Sequence, residues 1–417
     1  MSRYCVYVQS QTQFSELERV AKLVVARRGH RCRVAIDSAD ALLHERARFG
    51  LGKLVEDYRA PAAESSAWRR WLTTDLAVRT PPAPPPIDPV QLDQHNERAR
   101  AGRYCAAFRV DTLVVGEDGL GGPYQLIDVV KRQGGRVVVV PYEYSGRKQL
   151  MRHLAIFEPE PDIDGRWIRD GRLRLPAPII RAIESSGVSL PTPWTVHGGQ
   201  ADALLAESPR MVEHYHHEGI ATDKIVLTGS LSHDDLKQHL DAAMPPGNRL
   251  RVLCAFPPDY CGLPAQYDEL INRWTALMRQ PGVDVVYQGH PSAIASIRLN
   301  PCAPDLAPND IVRLIANCDV LVTSVSSIIR LALLAGKPVL NFDFYKFDYD
   351  DYRDTLGVTT VADWAAFEAA YRALISREGY GRQRDDARSE ASRWGLLDGR
   401  CGCRIADALK LSQWKWF

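Results

Sequence analysis

Apolar residues fall in short runs along the chain, with turn-forming polar residues, Gly and Pro between them. Tyr4 to Val8 is an unbroken apolar run that predicts a buried strand. From Phe14 to Arg28, Leu17, Val20, Ala21, Val24 and Val25 recur at helical spacing until Gly29, and Arg33 to Ile36 predicts the next strand. The alternation resumes with a strand over Asp111 to Val115, a helix over Tyr124 to Gln133 and a strand over Arg136 to Val140. Ala203 to Ala206 reads as a strand, and Ser208-Pro209 as an N-cap followed by Pro at the first helical position. The helix Arg210 to Glu218 ends at Gly219, and the strand Lys224 to Thr228 stops at Gly229-Ser230.

The rhythm restarts near Leu250. Strands are predicted over Arg251 to Phe256, Val283 to Gln288, Val320 to Thr323 and Pro338 to Phe342. Helices are predicted over Gln266 to Met278, Asp310 to Ala316, Ser326 to Ala335 and Asp363 to Ile375. Strands alternating with helices imply parallel sheets covered on both faces. The expected fold class is α/β, with two doubly wound Rossmann-like domains facing a cleft, where such folds bind ligands. The expected domains are residues 1–245, residues 246–385 and a helical tail over 386–417. Pro81-Pro82-Ala83-Pro84-Pro85-Pro86 predicts an extended loop, Met244 to Asn248 a linker, and the Pro-, Arg- and Trp-rich stretch over 145–200 an insertion.

Composition narrows the function. Lys plus Arg (52) nearly cancels Asp plus Glu (51), so the broad positive field of a non-specific nucleic-acid binder is missing. No apolar run approaches the roughly 20 residues that span a bilayer, and the expectation is a cytoplasmic protein, at most at the inner face of the cell membrane. The terminal Trp414-Lys415-Trp416-Phe417 offers peripheral membrane contact, with docking onto the protein body the safer reading. The nine cysteines lack paired Cys-x-x-Cys spacing, which predicts neither a disulfide framework nor structural zinc. Cys401-Gly402-Cys403 reads as a surface thiol pair.

Three places carry chemistry. After the strand Val320 to Thr323 comes a hydroxyl-rich turn, Ser324-Val325-Ser326-Ser327, that opens a helix. Capping needs one hydroxyl, and the surplus, with the free N–H groups of a helix start, suits a phosphate. Gly289-His290-Pro291 ends the preceding strand, with Gly allowing close backbone approach and Pro stiffening the turn under an imidazole that can donate to phosphate oxygen. Glu117-Asp118-Gly119 ends a strand in the first half, and one of its carboxylates suits a general base, with Asp118 slightly favoured. Gly229 and Ser230 end another strand and are added as phosphate contacts. His214 to His217 reads as a solvated helix face rather than a metal site, and Phe342 to Phe347 equally as core packing or as a surface for a base or sugar.

At these residues the sequence resembles the GT-B glycosyltransferases of bacterial surface polysaccharides. Two groups are most similar: the CDP-glycerol glycerophosphotransferase-like proteins, and the bacterial sialyl- and polysialyltransferases. The latter carry an acidic motif, a His-Pro motif and a Ser-Ser/Thr motif in that order, matched by Glu117-Asp118-Gly119, His290-Pro291 and Ser326-Ser327. The resemblance implies a general base at Glu117 or Asp118, with His290 and the serines holding a nucleotide phosphate. The UDP-N-acetylglucosamine 2-epimerases share the architecture, but their early Gly-Thr-Arg-Pro run and Asp-Ser-Gly-Gly turn are replaced by Val8 to Thr12 and Ser324 to Ser327. The expected activity is glycosyl transfer from a nucleotide-activated donor, preferably a CMP-linked acidic sugar, to a hydroxyl on a glycan or lipid-linked acceptor. No cofactor, metal site or nucleic-acid partner is expected. The alternatives are a UDP-N-acetylhexosamine 2-epimerase and a non-catalytic nucleotide-sugar-binding module.

Overall fold

The computed structural model describes residues 2–27, 29–58, 87–142, 157–243, 248–259, 262–308, 310–349 and 351–411. The Pro81 to Pro86 run, Met244 to Gly247 of the expected linker, Cys261 and the terminal Trp414 to Phe417 lie outside them.

The first unit opens with β1 (Ser2–Val8), α1 (Gln11–Ala26), β2 (His30–Ile36), α2 (Ala41–Leu51), β3 (Val55–Asp57) and α3 (Ile87–Ala107). It continues through β4 (Thr112–Val115), α4 (Tyr124–Arg132), β5 (Arg136–Val139), the short β6 (Ile168–Arg169) and β7 (Arg172–Leu173), and α5 (Ala177–Ser185). Then come β8 (Ala203–Ala206), α6 (Pro209–His217) and β9 (Ile225–Leu227). Its main sheet is parallel in the order β3-β2-β1-β4-β5-β8-β9. Strand order reverses between β1 and β4, so the crevice at their carboxyl ends is the expected ligand position.

Side-chain alternation explains why each strand is buried twice over. Tyr4, Val6 and Val8 pack with Phe14, Leu17, Val20 and Val24 of α1, while Cys5 and Tyr7 pack on the other face with Ala101 and Cys105 of α3. Ser10 caps α1 by accepting from the Gln13 N–H, and Ser208 caps α6 by accepting from Met211, with Pro209 at the first helical position. The described part of the expected insertion forms its own cluster, with Trp167, Leu173, Ile179 and Ile183 around Leu120 and Tyr124.

The second unit contains α7 (Leu231–Asp241), β10 (Leu250–Phe256), α8 (Pro264–Met278), β11 (Val283–Gly289), α9 (Ile294–Leu299), α10 (Ile311–Asn317) and β12 (Val320–Thr323). After these come α11 (Ile328–Leu334), β13 (Val339–Phe342), β14 (Val358–Val361), α12 (Trp364–Ile375) and α13 (Arg377–Trp394). The parallel sheet runs β11-β10-β12-β13-β14, with its reversal between β10 and β12. The last helix, α14 (Cys401–Ala408), returns to the first unit.

Three expectations are corrected. The units divide at Leu231/Ser232 rather than at residue 245, because Leu236 of α7 packs with Leu253, Ile315 and Trp394 of the second unit. The tail is no separate body: α13 packs on α11, and Ile405, Ala406 and Leu409 pack against Tyr4, Val6 and Val34. The Tyr4 hydroxyl donates to the Leu409 carbonyl at 3.0 Å, which fixes that return. Finally, Cys401 is buried and only Cys403 exposed. Residues two apart on a helix point to opposite sides, so they form no surface pair.

Candidate functional site

In the first unit the turn after β4 treats its two carboxylates differently. Asp118 is 1% exposed. Its Oδ2 accepts from the Ala201 N–H at 2.8 Å, and its carbonyl accepts from the Gln200 side chain at 2.6 Å. Burial raises its pKa, opposed by the N–H donors of Ala201, Gln200 and Gly198 and by Lys224. His197 Nδ1 lies 3.9 Å from Asp118 Oδ1. The His197 ring is buried, and desolvation, followed by His214, depresses its pKa to about 3, so the imidazole is neutral. Asp118, the base favoured from sequence, is thus buried and bonded to the loop carrying Gly198 to Ala201.

Glu117 is half-exposed and takes the other direction. Gln13 Nε2 lies 3.4 Å from its Oε1, and Gln13 Oε1 accepts from the Gln9 N–H at 2.9 Å. Gln9 Nε2 donates to the Gly121 carbonyl at 3.1 Å, so the ends of β1 and β4 are stitched together at the strand reversal. The charge of Arg174 is supported by Glu117, although burial brings its pKa down to about 10. Gly119 is required for fit: a Cβ there would lie 2.5 Å from the Val196 carbonyl oxygen. Gln9, Gln13 and Arg174 were not singled out from sequence. The only signal was that both glutamines flank the Ser10 cap.

In the second unit the ends of β11 and β12 flank β10, two strand spacings or roughly 10 Å apart. His290 Nδ1 accepts from the Ser292 N–H at 3.3 Å and lies 2.7 Å from Ser292 Oγ. With Nδ1 accepting there, the ring proton sits on Nε2, which is left as a donor. Desolvation lowers the His290 pKa, which favours this neutral form. Pro291 opens the single turn Pro291–Ala293 that holds the ring. At Gly289 a Cβ would meet Ile297 Cδ1 at 2.8 Å, so the glycine also suits the packing of α9.

The serine turn is held open from below. Val325 has φ 42°, a left-handed conformation costly for a β-branched residue, and its N–H donates to Asn341 Oδ1 at 2.8 Å. Asn341, on β13, is itself fixed by donating to Thr360 Oγ1 at 3.2 Å. Ser324 is 1% exposed, and its Oγ has no hydrogen-bond partner among the described residues. Ser326 Oγ accepts from the Ile328 N–H at a long 3.5 Å, and Ser327 makes no side-chain cap. Among the described residues no hydrogen bond is made by the N–H of Ser326 or Ser327. A left-handed residue followed by unspent N–H groups is a concavity suited to an anion. The helix begins at Ile328 rather than Ser326, since the serines form the turn.

Gly229 and Ser230 belong to the first unit, where the Ser230 hydroxyl donates to the Glu16 carboxylate. His216 and His217 are exposed on α6. Phe342 is core, stacked on Phe367 at 4.4 Å, whereas Tyr345, Phe347 and Tyr349 form a partly exposed stacked ladder beyond β13.

No protein-family model and no curated protein matches this sequence. Solved structures do match in fold. The calicheamicin glycosyltransferase CalG4 aligns at TM-score 0.61 and 13% identity over 98% of both chains. The UDP-GlcNAc 2-epimerase of Neisseria meningitidis, bound to UDP-GlcNAc, aligns at 0.56 and 14% over 98% of this chain and 100% of that one. Staphylococcus aureus MnaA with UDP aligns at 0.57 and 13% over 100% and 99%. The fold is thus that of the GT-B proteins, with two Rossmann-like domains. No helix among the described residues is long and apolar enough to cross a membrane.

Proposed function

We propose that the protein transfers a sugar from a nucleotide-activated donor to a hydroxyl acceptor in surface-glycan synthesis. The observation that carries this reading is the pair of turns at the carboxyl ends of β11 and β12. His290 offers Nε2–H from one, and Ser324, Ser326 and Ser327 offer hydroxyls and free N–H groups from the other. All are neutral donors, which suits the phosphate of a nucleotide.

In this reading the acceptor hydroxyl oxygen bonds to the anomeric carbon as the bond from that carbon to the phosphate oxygen breaks. Glu117 takes the acceptor proton, and the negative charge left on the nucleotide is held by His290 Nε2–H and the serine turn. The donor of the leading reading is a CMP-linked acidic sugar, on the strength of the three motifs in order. The acceptor is a glycan or lipid-linked hydroxyl.

A second reading is favoured by one observation: similar folds were solved with UDP or UDP-GlcNAc bound. It makes the protein a UDP-N-acetylhexosamine 2-epimerase. Incubation with donor and no acceptor separates the two, since only an epimerase turns over readily to a free epimer or UDP. A thermal-shift series over CMP, CDP, UDP and GDP tests the shared premise. Stabilisation by one of them is expected, and stabilisation by none would sink both readings. Loss of activity in Glu117→Gln, with nucleotide binding kept, separates an enzyme from a binding module.

A further inference from the structure

The opposite edge of the first unit's sheet holds a cavity of about 440 Å³ lined by Arg3, His30, Arg31, Arg33, Leu54 and Phe108, among others. Among the described residues no carboxylate lines it. In the parallel register Arg3 stands directly across from Arg31, and Arg33 lies two residues further on the same face. Like charges directly opposed in a sheet are destabilising unless something neutralises them.

Arg33 is neutralised: its Nη1 lies 2.7 Å from Glu56 Oε1, and its guanidinium sits 4.4 Å from the centre of the Phe108 ring. Asp111 accepts from the backbone N–H of Arg3 at 2.8 Å and lies 3.7 Å from Arg109 Nε. The Arg3 and Arg31 side chains form no ion pair among the described residues. Helices α1 and α3 end at this edge, but each C-terminus carries only about half a negative charge, less than two guanidinium groups require.

Apolar groups surround these cations. Val25, on the last turn of α1, lines the cavity and is 49% exposed. Phe49, on the last turn of α2, is 95% exposed and stands between the exposed Arg48 and Lys53. Crossover helices run back to the amino ends of parallel strands, so the α2 terminus and the cavity share one edge, as the lining residue Leu54 attests. An exposed aromatic among basic residues is the pattern of a surface that settles into a lipid interface.

We propose that this cavity binds a phosphate ester, presented by the headgroup of an anionic membrane lipid, with Phe49 entering the interface. The full-length protein is floated with vesicles of phosphatidylcholine alone or mixed with phosphatidylglycerol, and glycerol 3-phosphate is titrated separately by calorimetry. Binding to the anionic vesicles only is expected, falling steeply with salt and by about fivefold for each of Arg3→Gln and Arg31→Gln. Phe49→Ser is expected to weaken vesicle binding alone, and Arg3→Lys with Arg31→Lys to restore most of it. Arginine-dependent binding of glycerol 3-phosphate without vesicle binding supports the phosphate site and assigns it to a soluble ester. Equal behaviour of wild type and the Arg3→Gln/Arg31→Gln protein in both assays, including no binding by either, overturns the proposal.

Discussion

Glu117 and Asp118 are adjacent yet live in different solvents, so replacing each should separate chemistry from stability. Glu117→Gln is expected to lower turnover by roughly 10²- to 10⁴-fold, the usual contribution of a general base, with only the small stability loss of its support to Arg174. Asp118→Ala should instead destabilise by about 2 kcal/mol, because the buried Ala201 N–H loses its acceptor. Comparing steady-state rates with denaturant melts of both variants checks the assignment, and the reverse pattern would refute it. His197 gives a pH test. Its folded pKa, near 3, lies below the unfolded value, so between about pH 6.5 and 3 the unfolded chain binds the extra proton. The stability it contributes is complete above pH 6.5 and is lost as pH falls through that window. Asp118 works the other way: its raised pKa contributes stability at low pH that is lost as pH rises through the folded value. Comparing His197→Gln with wild type isolates the histidine, and a shallower acid limb in the variant's pH–stability curve is the expected result. The motif residues themselves were legible in sequence, because a turn after an apolar strand is a local signal. Which carboxylate faces water was not. That depends on a loop some 80 residues away, through the Ala201 contact.

At the scale of elements, the serine turn is set by β13 rather than by its own sequence. Asn341→Ala leaves the Val325 N–H without its acceptor and should cost about 1–3 kcal/mol while raising the Michaelis constant for donor. Val325→Gly should stabilise the fold by about 1 kcal/mol through relief of a left-handed β-branched residue, yet loosen donor binding. Paired melting curves and donor titrations test both, and a Val325→Gly protein that melts lower would contradict the strain argument. Neither device could be read from the chain, since the contact between Val325 and Asn341 exists only once β12 and β13 are in register. The helices and buried strands were legible to within a few residues where periodicity was strong, as in α1 and β10. The edge strand β14 was not, because Val358 to Val361 are partly exposed and carry no alternation. The capped α6 was legible for the opposite reason, since Ser208-Pro209 is a rule complete in two residues.

At the scale of the whole molecule, the two units should melt as distinguishable bodies. Deleting residues 401–417 removes Ile405, Ala406 and Leu409 from the core around Tyr4 and Val34, and should lower the transition of the first unit alone. Nucleotide should raise the other transition, and calorimetry with and without ligand assigns each peak. The repeated α/β rhythm made the two-domain class legible, but not the division at Leu231/Ser232 or the return of α14. Both depend on which apolar face finds which sheet. That return also bears on biosynthesis. Helix α14 is translated after the whole of residues 232–400, yet it packs on β1 and β2, made well before them. The first unit must therefore wait, with the part of this core that Ile405, Ala406 and Leu409 complete left open beside α1, while the second emerges and folds. This interval makes the nascent first unit a natural client for a chaperone, and a ribosome stalled before Cys401 should display a protease-sensitive amino-terminal half.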